Sequence, residues 1–150
     1  MKKCLKVRPI ENGTVIDHID SGKALEVYNV LNIKNSKRTI TIAMNVPSKK
    51  NTLKDVLKVE GLELSKNDVN KIGLISPNAT INIIKNYNVV DKYKVEIPDE
   101  IEGLLQCTNP NCITQVENIL GKFKVESKNP LKIRCNYCEK YLTSIKIKGE

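Results

Sequence analysis

The sequence predicts an α+β chain in two unlike parts. The first is a ferredoxin-like, split β-α-β antiparallel sheet with two helices; the second is a small all-β domain built on four cysteines and zinc. Three observations lead there. Strand-like and helix-like hydrophobic periods alternate over residues 14–95 in the order β-α-β-β-α-β. The composition then changes at EIPDEIEG (96–103), which holds four acidic residues and no basic one. Beyond it, four of the five cysteines stand as C-x4-C and C-x2-C, with 22 residues between the pairs.

The elements follow in order. KCLKVRPI (3–10) has strand character and ends at the turn Glu11-Asn12-Gly13, after which TVIDHI (14–19) continues extended. Ser21 and Gly22 open a helix on which Ala24, Val27, Tyr28 and Leu31 share a face. RTITIAMNV (38–46) alternates, with Ile40, Ile42, Met44 and Val46 expected on one side, and Pro47 ends it. KDVLKVEG (54–61) reads as the next strand. A second helix starts at Ser65, which can cap the first turn while Asp68 returns the bond and Leu64 packs towards Val69. Val69, Ile72 and Ile75 or Ser76 carry its buried stripe to Pro77. TINIIKNYNVVDKYKV (80–95) supplies two strands broken near Asn86. In the second part, KFKVE (122–126), LKIRC (131–135) and YLTSIKIK (141–148) read as short strands, with one helical turn near 114–118.

Lys and Arg number 25 against 17 Asp and Glu, a net charge of +8 that favours anionic partners. Apolar residues make up 40%, with no tryptophan and one phenylalanine, so the cores rest on Ile, Val and Leu. No run of 18 apolar residues suits a membrane span, and charge follows the opening lysines where a signal peptide would be apolar. A cytoplasmic location is expected, where disulfides are disfavoured.

Tight turns at Asn109-Pro110-Asn111 and Asn136-Tyr137 can aim Cys107, Cys112, Cys135 and Cys138 at one tetrahedral Zn²⁺. Four thiolates close the sphere, and no histidine lies in this half, so the metal is expected to be structural rather than catalytic. Cys4 lacks a nearby partner and reads as a buried apolar residue. His18, the sole histidine, sits beside Asp17; alone it reads as a surface residue. A zinc-ribbon nucleic-acid-binding protein is the rival reading, weakened by the scarcity of aromatics suited to base stacking. No glycine-rich phosphate loop or nucleophile–base set is visible, so the chain is not expected to be an enzyme.

The ordered set GTVIDHI (13–19), RTITIAMNVPS (38–48), KDVLKVE (54–60), NATINIIKNYNVVDK (78–92), CTNPNCI (107–113) and RCNYCEK (134–140) resembles the regulatory chain of aspartate carbamoyltransferase over nearly the full length. The resemblance implies a noncatalytic subunit in pyrimidine biosynthesis. Residues 1–97 would form a nucleotide-effector domain, 98–103 a linker, and 104–150 a zinc domain, with one Zn²⁺ per chain, docking onto the catalytic chain. Regulatory chains would pair as homodimers, three of which join two catalytic trimers. CTP, ATP and UTP are the implied effectors, and a triphosphate allows Mg²⁺ beside it. The resemblance assigns His18 and Lys92 to effector phosphates and Asp17 and Lys58 to the ribose. It assigns Ile10, Tyr87 and Val89 to the base, Val7, Val15 and Ile84 to apolar surroundings, and Lys54 and Asn82 to a neighbouring part of the pocket. Two departures stand out: Pro9 removes a backbone donor before Ile10, and Asp91 puts a carboxylate next to Lys92.

Overall fold

A computed structural model describes residues 9–49 and 51–148 of the chain. The chain divides into two compact units at Val95/Glu96. The expected strand over 3–10 falls mostly outside the described residues, and Pro9 and Ile10 are not in a strand.

The first unit runs β1 (Gly13–Asp20), α1 (Ala24–Val30), β2 (Ile40–Pro47), β3 (Leu53–Glu60), α2 (Lys66–Ile75), β4 (Thr80–Lys85) and β5 (Asn88–Lys94). The sheet order is β2-β3-β1-β4-β5, antiparallel throughout. Its first four strands therefore have the split β-α-β arrangement, and β5 adds an edge by hairpin. Ile16, Ile19, Leu57, Val59 and Ile81 from alternate strand positions pack with Val27 and Leu31 of the α1 region and Ile72 of α2. Alternation consequently sends Val15, Asp17, Lys58 and Asn82 to the opposite face. Gly13, at φ 149°, begins β1 so close to β3 that a Cβ would collide with the Val59 carbonyl oxygen. Only glycine fits there.

The capping box of α2 is present: the Asp68 N–H donates to Ser65 Oγ at 3.1 Å, and the Ser65 N–H to Asp68 Oδ2 at 3.0 Å. Leu64 and Val69 both pack onto the core. Ser76 ends the helix, its N–H bonded to the Ile72 carbonyl.

β1 and β2 each carry a register shift against β3, with one extra residue between Ile16 and Ile19 and one between Ala43 and Val46. These are β-bulges, and they break strict alternation. Met44, expected on the core face with Ile40 and Ile42, is instead 41% exposed, because the bulge at Met44-Asn45 intervenes.

The second unit holds β6 (Glu100–Glu102), α3 (Ile113–Val116), β7 (Lys122–Lys128) and β8 (Leu131–Cys135), with a sheet ordered β6-β7-β8. β6 thus occupies part of the stretch expected to be linker. YLTSIKIK does not form the expected strand. Its amides and carbonyls divide between two partners, Leu142 N–H to the Ile133 carbonyl and Lys148 N–H to the Leu104 carbonyl, so no single ladder develops. The fully buried Phe123 centres this core with Ile101, Leu105, Val125 and Ile133.

Candidate functional site

On the sheet face opposite the helices, one rung crosses all five strands of the first unit: Thr41, Lys58, Val15, Asn82 and Lys92 stand in register. Lys58, Asn82 and Lys92 share a face because each lies at the same phase of its strand. One step away, Lys54 Nζ contacts Asp17 Oδ1 at 2.9 Å. The His18 N–H donates to the same carboxyl oxygen at 2.7 Å, and His18 Nδ1 lies 3.9 Å from Asp17 Oδ2. Burial alone would raise the Asp17 pKa, but the Lys54 hydrogen bond, the His18 amide and the Lys54 charge together leave it below its ordinary value. Burial likewise lowers Lys58, with Asp17 pulling part of the way back.

Asp17, His18, Lys54 and Lys92 line a cleft of about 890 Å³ together with Asp20, Ser21, Pro47, Ser48, Lys49 and Asn78. Lys58, Val15 and Asn82 extend the same face beyond the cleft. Ile10, Ile84, Tyr87 and Val89 gather at the far end of β1, where the Tyr87 N–H bonds the Glu11 carbonyl and Ile84 pairs with Val89. There Ile10 and Ile84 are buried, whereas Tyr87 and Val89 are 62% and 56% exposed. Val7 lies outside the described residues, as does Cys4. Asp91 is paired with Ile83 and Lys92 with Asn82, so the carboxylate and the ammonium leave β5 on opposite faces. Ser48, Lys49 and Asn78 join the cleft without a motif that marks them in the sequence; the polar loop after Pro47 is the signal for the first two.

The four thiols of the second unit converge. Their sulfurs all lie within 4.8 Å of one another. Cys107 and Cys138 are 3.7 Å apart, and Cys112 and Cys135 are 3.8 Å apart. A regular tetrahedron around Zn²⁺ has sulfur–sulfur edges of about 3.8 Å, while a disulfide bond is about 2.05 Å. The cysteines are free of disulfides. Each sulfur also accepts a backbone N–H from two residues on: Asn109 for Cys107, Thr114 for Cys112, Tyr137 for Cys135 and Lys140 for Cys138. Such donors orient and stabilise thiolates. Thr114 Oγ1 adds a bond to Cys112 at 3.1 Å, and Gln115 Nε2 donates to the Cys107 carbonyl. Burial pushes the Cys107 thiol up to about 12; at Cys138, burial is outweighed by the Asn109 side chain and the Lys140 amide, which bring it down to about 7. So compact a set of sulfurs fits a dication. Zn²⁺ bound there would hold four thiolates and close the second unit's core.

The basic face of this unit's sheet is largely offset by acids in register. Glu102 faces Lys122, Glu100 faces Lys124, and Arg134 Nη2 contacts Glu126 Oε1 at 3.0 Å. Tyr141 Oη donates to Glu126 Oε2 at 2.6 Å, and that bond with the Arg134 charge lowers the Glu126 pKa. A phosphate-tracking surface would leave these cations unpaired, which disfavours the nucleic-acid reading.

A split β-α-β unit with a lysine-rich cleft, followed by a unit in which four cysteine sulfurs converge, defines a two-part protein with a candidate anion cleft and a candidate metal centre. Residues 5–96 match the family described as the aspartate carbamoyltransferase regulatory chain, allosteric domain, and residues 99–148 match its metal binding domain. The chain is 71% identical to the aspartate carbamoyltransferase regulatory chain of Methanococcus aeolicus, covering 98% of this chain and 94% of the relative. It is 65% identical to that of Methanocaldococcus jannaschii, covering 94% of each, and 56% identical to that of Pyrococcus horikoshii, covering 91% of each. The chain belongs to the aspartate carbamoyltransferase regulatory-chain family, and is a noncatalytic chain with an allosteric and a metal-binding domain. Among the described residues no helix is long and apolar enough to cross a membrane.

Proposed function

We propose that this chain binds nucleoside triphosphates on the open face of its first unit and passes their effect to aspartate carbamoyltransferase catalytic chains. The observation that carries the reading is the grouping of His18, Lys54 and Lys92 around one cleft, with Lys58 and Asn82 along the adjoining rung. Lysines and an imidazole suit a triphosphate, with Asp17 and Lys58 directed to the ribose. Ile10, Tyr87, Val89, Val15 and Ile84 would accept the base, and Val7 belongs to the same assignment. CTP and UTP would inhibit and ATP would activate, with Mg²⁺ as a companion of the triphosphate.

The second unit would hold one structural Zn²⁺ on Cys107, Cys112, Cys135 and Cys138 and dock onto the catalytic chain. Residues 98–103 would join it to the effector domain of residues 1–97. Regulatory homodimers, three to an assembly, would link two catalytic trimers in the cytoplasm. A nucleotide then biases a two-state assembly by its differential affinity for the two states. Reconstitution with the partner catalytic trimer tests both parts. A larger complex should form in the presence of Zn²⁺, and aspartate saturation should move in opposite directions with CTP and ATP. Identical saturation curves with and without both nucleotides would refute effector control; failure to form the complex would refute docking.

A further inference from the structure

Two bulges lie in the strands that border the cleft, and one buried carboxylate stands opposite both. Asp55 lies in β3, fully buried, at the level where β1 carries its extra residue around His18 and β2 around Asn45. Both of those residues have left-handed backbones, φ 56° and 58°. In a regular strand neighbouring residues face opposite sides; the extra residue in β1 is what lets Asp17 and His18 both line the cleft.

A bulge leaves strand amides without ladder partners. Asp55 takes up that of Asn45, whose N–H donates to Oδ1 at 2.9 Å. Its other oxygen accepts from Gly22 at 2.8 Å and Ala24 at 3.1 Å, which ties down the turn after β1 and starts α1. Lys23, the residue at the cap position of α1, makes no side-chain cap bond. Ser21 Oγ donates to Asn45 Oδ1 and joins the turn to the β2 bulge from the surface side. The neighbour of Asp55 in sequence, Lys54, emerges on the cleft side to meet Asp17. The β2 bulge that leads to Pro47-Ser48 and the turn that follows the His18 bulge are therefore both referenced to one side chain.

We propose that Asp55 is the positioning residue of the cleft: by accepting the Asn45, Gly22 and Ala24 amides it holds the β2 bulge and the turn after β1, and so fixes the Pro47-Ser48 segment and the end of the strand that presents His18 to a bound triphosphate. This rests on the nucleotide reading above. Asp55 touches no ligand itself. It acts through backbone geometry, because a carboxylate offers only acceptors to these three donors.

His18 is the sole histidine, so its ring protons give an isolated NMR signal, and Phe123, the sole phenylalanine, reports the second unit. ATP is titrated into the full-length chain with Zn²⁺ present, and affinity and the His18 signal are followed together. Absence of any His18 shift in the parent protein overturns the nucleotide reading itself. Given that shift, Asp55→Asn, which puts a donor among donors, should bind ATP weaker by about tenfold or more. Its His18 shift should shrink while circular dichroism and the Phe123 ring signals stay native. Asn45→Ala, which strains the β2 bulge from the surface, should weaken binding less, and Asn45→Gly should recover it because glycine adopts positive φ freely. Unchanged affinity in a folded Asp55→Asn overturns the assignment. Should that variant not fold, the Asn45 pair decides: parent-like binding by Asn45→Ala, or equal weakening by Asn45→Gly, overturns it.

Discussion

Removing the metal from the second unit should unfold that unit while leaving the first intact. The apolar core of residues 96–150 rests on Ile97, Ile101, Leu105, Phe123, Val125 and Ile133, with three of the four cysteine side chains buried beside them. Zn²⁺ on a structural thiolate site contributes an apparent ~10–16 kcal/mol. Whole domains are stable by only about 5–15 kcal/mol, so loss of the ion exceeds any margin that so small a core provides. Without it, sulfurs 3.7 and 3.8 Å apart cannot all remain thiolates, because like charges at that distance oppose ionisation. The assay is proton NMR during titration with a strong chelator, with released zinc measured in parallel. The Phe123 ring signals should collapse to random-coil positions as one equivalent of zinc is released, and should return when zinc is restored. The His18 signals should not move. Native Phe123 dispersion after complete metal release would refute the stabilising role. Loss of His18 and Phe123 signals in step would refute independent folding of the units.

Other outcomes follow from local geometry. Lys54→Met removes the 2.9 Å contact with Asp17 and one cation from the cleft; the Asp17 pKa should rise and triphosphate affinity fall by about tenfold, measured by NMR titration and calorimetry. Because the folded Asp17 pKa lies below its ordinary 3.8, its stabilising contribution is complete above that value and disappears as the pH falls through the lowered folded pKa. Thermal unfolding of the first unit should therefore show a smaller acid-side loss in Lys54→Met than in the parent. Ser65→Ala deletes half of the capping box and should cost about 1 kcal/mol in denaturant unfolding. Gly13→Ala places a methyl group against the Val59 carbonyl at φ 149° and should destabilise the first unit by at least roughly 1–3 kcal/mol, the cost of the backbone strain, with the collision added to it; an unchanged midpoint would show that β1 does not start as described.

Much of this protein was legible in one dimension because its signals are short-range. The shared core face of Ile40 and Ile42, the Ser65/Asp68 reciprocity and the cysteine spacings each depend on residues a few positions apart, and each appears in the folded chain. The misreadings arise where pairing is long-range. Met44 left the core face because an extra residue is accommodated against β3. YLTSIKIK alternates like a strand yet is shared between two partners distant in sequence. That Asp91 and Lys92, neighbours in sequence, leave β5 on opposite faces is likewise set by the β4–β5 register.

By itself the sequence determined the order of elements over residues 14–95, the four metal-binding sulfurs and the family, since hydrophobic period, turn chemistry and motif are written along the chain. Only the tertiary structure decided that Lys58, Val15, Asn82 and Lys92 form one rung, that His18 sits in a bulge of its strand, and that Asp55 stands opposite it. Register between strands depends on which hydrophobic faces are buried together and on where an extra residue is absorbed, and neither is encoded in local spacing.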